Sequence, residues 1–134
     1  MVTRRQIMLV APISALITPF ACLAQQQPVR RPRIGILGSA PGAQWTAFQQ
    51  QLRKLGYEEG RNIEFVFRWS EGRNERLKTF AVELIEREAS VIVTEGTLAA
   101  QIAGKATSTV PIVMAISSDP VRGGIVTSLA RPGG

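Results

Sequence analysis

Four short apolar runs alternate along the chain with stretches of helical periodicity, and few folds accommodate that order. Ile34-Gly35-Ile36-Leu37-Gly38 fits a buried strand. Ile63, Phe65, Phe67 and Trp69 alternate with Glu64, Val66, Arg68 and Ser70, a period of two with one more polar face, which suits a strand near a sheet edge. Val91-Ile92-Val93-Thr94 is β-branched throughout, as central parallel strands often are, and Pro111 to Ile116 is a fourth strand.

The intervening segments read as helices. From Ala43 to Leu55, the residues Trp45, Phe48, Leu52 and Leu55 share a face, Arg53 and Lys54 sit in the last turn, and Gly56 stands where a left-handed cap stops a helix. A second helix starts at an Asn74 cap and runs to about Glu88. Leu77, Phe80, Ala81, Leu84 and Ile85 form its stripe, and Glu83 can pair with Arg87 one turn on. Thr97 can cap a third helix from Leu98 to about Ala106, in which Gly104 is explained by a close approach to a sheet. Ile125 to Ala130 reads as one or two further turns. The order β-α-β-α-β-α-β-α predicts an α/β fold: a parallel sheet covered by helices on both faces, with right-handed crossovers.

The first 24 residues differ from the rest. Arg4 and Arg5 precede an uncharged apolar stretch, Ile7 to Ala24, which ends in Cys22-Leu23-Ala24 and is followed by Gln25-Gln26-Gln27-Pro28. That is the layout of an export signal cleaved near Ala24, which would place the mature protein in the periplasm. Pro12 and Pro19 argue against a retained membrane anchor. Thr3-Arg4-Arg5-Gln6-Ile7 resembles a twin-arginine motif, so the Sec and twin-arginine routes both stay open. Residues 25–32 read as a short exposed, flexible lead-in, and residues 33–134 as one domain.

Composition removes several function classes. The only cysteine, Cys22, leaves with the signal, and histidine is absent, so the mature part lacks the commonest general base and the commonest metal ligands; no metal or cofactor is expected. The formal charge of +6 falls to +4 once Arg4 and Arg5 are removed, and the remaining cations are scattered rather than interleaved with aromatics, so no nucleic-acid partner is expected. No dinucleotide-binding glycine fingerprint follows the first strand and no phosphate-binding loop occurs.

Open parallel sheets bind ligands beyond the carboxyl ends of their strands. Here those ends are followed by Ser39, by Gly96-Thr97 and by Ser118-Asp119, small polar groups that can hold a solute without a cofactor. Gly96-Thr97 opening a helix suits a carboxylate, and Asp119 suits a positive group. Each also has a structural explanation: Thr97 as a cap, Asp119 as a turn former before Pro120. Glu95 and Asp119 as a catalytic carboxylate pair is the weaker reading, and the periodic aromatics read as core.

Several stretches, taken in order, resemble a known family. They are Leu55-Gly56-Tyr57 with Glu59-Gly60-Arg61-Asn62-Ile63, then Phe67-Arg68-Trp69-Ser70-Glu71-Gly72, Gly96-Thr97 with Ala99-Ala100, Val110-Pro111-Ile112-Val113, Asp119-Pro120-Val121, and Ser128 to Gly134. The set is similar to ABC-transporter substrate-binding proteins, including members that bind aromatic amino acids. The resemblance implies the amino-terminal lobe of a two-lobed periplasmic-binding-protein fold, type I-like, that captures a small solute for a membrane permease and ATPase and catalyses nothing. It also implies that this sequence is a fragment, a truncated gene or incomplete, because family chains continue past Arg131-Pro132-Gly133-Gly134 into a second lobe. Two departures stand out: Leu98 where members commonly carry Pro, and Glu95 where they commonly have a small residue. On fold alone three other readings stay open: a flavodoxin-like enzyme, an extracytoplasmic sensing module, and a truncated chain without function.

Overall fold

The computed structural model describes residues 30–116 and 119–130. The export signal read at residues 1–24 and the site candidate Ser118 lie outside the described residues. The elements follow in the order β1 (Arg33–Gly38), α1 (Ala43–Lys54), β2 (Glu64–Trp69), α2 (Glu75–Glu86), β3 (Ala89–Glu95), α3 (Thr97–Ala106) and β4 (Ile112–Ile116). The strands form one four-stranded sheet in the order β2-β1-β3-β4, and every neighbouring pair is parallel. The α/β architecture expected from the alternation is therefore present, with β2 at an edge and β3 inside.

Alternate residues of each strand serve two separate cores. On one face Ile36 and Val93 pack under Trp45 of α1, with Phe48, Phe65, Phe67 and Trp69 around them. On the other, Leu37, Val66 and Ile92 pack under Leu77, Ala81 and Leu84 of α2 and Ala99 and Ala103 of α3. Helices thus cover both faces, as the sequence predicts. Helix α2 comes close to β1 at Gly35, where a Cβ would lie 3.2 Å from both Leu84 methyls. Gly104, expected to mark such an approach, is exposed, and a Cβ there would meet only Ile112 Cδ1 at 4.0 Å.

Helix ends follow local chemistry, with some departures from expectation. Helix α1 stops at Gly56 (φ +90), where the Tyr57 N–H reaches the Leu52 carbonyl at 2.9 Å and the Gly56 N–H that of Arg53 at 3.0 Å, a left-handed cap. Asn74 does not cap α2. It lies in helical geometry (φ −61, ψ −27) within a tight turn, whereas a capping side chain needs extended backbone. Helix α2 ends two residues before Glu88, which adopts φ +58. Glu83 pairs with Arg68 of β2 (2.7 Å) rather than with Arg87, because Arg68 on the edge strand reaches across to α2. Thr97 is the first residue of α3, and Gly96 occupies the cap.

The turns expected at Ile125 to Ala130 do not form a helix. The Ile125 N–H is drawn back to the Pro120 carbonyl at 2.9 Å, and the Ser128 hydroxyl accepts the Ala130 N–H at 3.1 Å. A serine hydroxyl competing for backbone bonds outweighs helix nucleation in so short a segment.

Candidate functional site

Strand order fixes where a ligand crevice belongs. From β1 the chain moves outward to β2, then crosses back to β3 on the other side of β1. The helices leaving β1 and β3 lie on opposite faces. The gap between the carboxyl ends of β1 and β3 is the point where such a sheet opens a crevice.

Ser39 and Glu95 meet across that gap. The Ser39 N–H and hydroxyl both donate to Glu95 Oε2, each at 3.0 Å. Gln44 Nε2, in the first turn of α1, approaches Glu95 Oε1 at 3.5 Å. Ser39 is fastened from the other side as well, its carbonyl accepting the Glu71 N–H at 2.8 Å. Gly38, just before it, is hemmed in: a Cβ there would lie 2.8 Å from both Glu95 Oε2 and Trp69 Cζ3.

Gly96 joins β3 to α3 with φ +90, which only glycine adopts freely, and its N–H donates to the Ile116 carbonyl at 2.7 Å. With Gly96 in the cap position, the cap residue itself offers α3 no side chain, and the first turn of the helix starts at the rim. The loop after β4 folds over this turn. Gln101 Nε2 donates to the Gly123 carbonyl, and a Cβ on Gly123 would lie 2.6 Å from Thr97 Cγ2. Within that loop Asp119 Oδ1 accepts the N–H groups of Val121 and Arg122, both at 3.0 Å, so one carboxylate oxygen shapes the turn.

Ser39, Gly96, Thr97 and Asp119 thus all follow the carboxyl ends of parallel strands, on one end of the sheet. Glu95, absent from the sequence-derived site set, is the residue that ties the β1 and β3 tips together. Its sequence signal was an acid at a strand tip directly before Gly96-Thr97. Trp69, read as core, is half-buried and lines a cavity of about 510 Å³ with Pro41, Gly42, Trp45, Thr46 and Phe67, beside α1's amino end. Trp45 is buried, and its indole N–H finds no acceptor among the described residues. A second cavity, of about 640 Å³, lies at the amino ends of the strands around Arg30, Arg33, Glu64 and Glu88. Those four are bound to each other, Arg30 to Glu88 at 2.6 Å and Arg33 to Glu64 at 2.9 Å, and that cavity is remote from the crevice. The described residues contain no cluster of three or more acidic, histidine or cysteine groups that could hold a metal.

A helix-covered parallel sheet with small polar loops along its carboxyl rim defines a lobe of the periplasmic-binding-protein type, and solved proteins share it. Residues 36–134 match the family model described as ABC transporter substrate binding protein, and the chain belongs to that family. A tyrosine-binding protein of Clostridioides difficile (strain R20291) is 33% identical over 87 residues, 65% of this chain and 25% of that protein. The crystal structure of an ABC domain in complex with L-Trp from Streptococcus pneumonia superposes with a TM-score of 0.71 at 28% identity, covering 78% of this chain and 36% of that one. A ligand-free, open substrate binding protein with adhesive properties from Clostridium difficile gives a TM-score of 0.71 at 30% identity, covering 76% of this chain and 36% of that one. The chain therefore spans about a quarter to a third of the length of these relatives.

Proposed function

We propose that this chain supplies one wall of a clamp for a small solute, an amino acid or close analogue, in a non-catalytic binding protein that serves an ABC permease and ATPase. On this reading Thr97 and the amides at the start of α3 take a carboxylate, Asp119 a positive group, and Ser39, Gly96 and Ser118 complete the rim. What supports the reading is that Ser39 and Glu95 meet between the β1 and β3 tips, that Gly96 and Thr97 follow directly after Glu95, and that the chain belongs to this family. Relatives named for tyrosine binding or solved with L-Trp favour an aromatic amino acid. The leader-like layout of residues 1–24 and the family both support a periplasmic location, where such a protein meets its solute.

Isothermal titration of the purified protein with the twenty amino acids tests the reading. Binding of L-tryptophan or L-tyrosine, weakened at least tenfold by Thr97→Ala, is the expected result. Heat release from none of the twenty would overturn it.

A further inference from the structure

Glu95 puts a fixed negative charge where the crevice opens, and its surroundings determine what can approach. Its Oε2 is anchored by two donors of Ser39, while among the described residues Oε1 has only the long Gln44 approach, which leaves that oxygen with accepting capacity. Among the described residues Glu58, Glu64, Glu71, Glu83 and Glu88 each face an arginine; Glu59, Glu75, Glu86 and Glu95 form no ion pair, and of these four Glu95 alone stands at the carboxyl end of a strand. The side chain is half-buried, so a charge brought to it is screened less than at an open surface.

Two more observations point the same way. The Ser39 donors, which could have received a ligand carboxylate, are already held by Glu95, so an anionic group entering this gap meets repulsion instead of hydrogen bonds. The edge of the Trp69 ring lies near the carboxylate, both being 2.8 Å from the Cβ position of Gly38, which gives this side of the gap an aromatic wall. Of the other acids on the rim, Glu71 is paired with Arg76, and Asp119 has Oδ1 committed to its own turn.

We infer that Glu95 is the specificity-determining residue of this rim and that the solute presents a protonated amine to it, between the β1 and β3 tips. The inference rests on the solute-binding reading above. It places the cationic group at Glu95 ahead of Asp119 and leaves any carboxylate to the start of α3.

A matched pair of probes, tryptamine and 3-indolepropionate, tests it: they share an indole ring and differ in the sign of the charged group. In titrations of the wild-type protein, tryptamine is expected to bind at least tenfold more tightly. Glu95→Gln, nearly isosteric and neutral, is expected to abolish that preference, with thermal unfolding used to confirm that the variant is folded. Equal affinities in the wild type, a preference for 3-indolepropionate, or a preference that survives in Glu95→Gln would overturn the inference while leaving amino-acid binding intact. The wild-type comparison decides even where the variant does not fold. If neither probe nor any amino acid binds, the solute-binding reading falls with it.

Discussion

Gly38 and Gly104 look alike in the sequence and differ in what surrounds them. A methyl group at Gly38 would press on the Trp69 ring and the Glu95 carboxylate, each 2.8 Å away, and the stacked ring has little room to yield. Gly38→Ala is expected to cost about 1–3 kcal/mol in chemical denaturation, typical of overpacking. Gly104 is an exposed helix position whose nearest neighbour would be 4.0 Å away. Gly104→Ala should therefore stabilise the protein by about 0.5–1 kcal/mol, the ordinary gain in helix propensity. Sequence could not separate the two, because proximity to another element depends on how the helices dock. The same limit hid Glu95: its position before Gly96-Thr97 was plain, but its bond to Ser39 needs the β1 and β3 tips side by side.

Among the elements, those with strong periodicity were legible and the others were not. The alternation in β2 announced its edge position, and the stripe on α2 named the residues that it buries: Leu77, Ala81 and Leu84. Leu84 is fully buried against Gly35, so Leu84→Ala should remove about 2–5 kcal/mol of stability by denaturant titration, the cost of lost transfer energy plus a cavity. A much smaller loss would mean that α2 can settle onto β1. The ends of elements were less readable. Asn74 had the composition of a cap but the wrong backbone angles, and Glu83 had two arginines within reach, of which the sequence favoured the nearer in number and the fold the nearer in space. The segment after Gly124 carried apolar residues, but its backbone groups bond to Pro120 and Ser128 instead of to each other.

At the scale of the whole molecule, α1 covers only part of its face of the sheet. Val113 and Ile116 on β4 remain 49% exposed, on a strand whose outer edge has no partner strand among the described residues. Exposed apolar side chains on an open sheet edge promote association. Val113→Lys is expected to lower concentration-dependent self-association in sedimentation equilibrium without changing the circular dichroism spectrum; unchanged association would show that this face does not drive it. The bond between Ser39 and Glu95 spans 56 positions of chain, with α1, β2, α2 and β3 formed in between. Closing so long a loop is an entropic cost that local contacts cannot offset early, so this contact forms only when the register of the whole sheet is in place. Under the proposed reading, solute recognition after refolding should therefore return later than the helical signal, and it times the last step of assembly rather than the first.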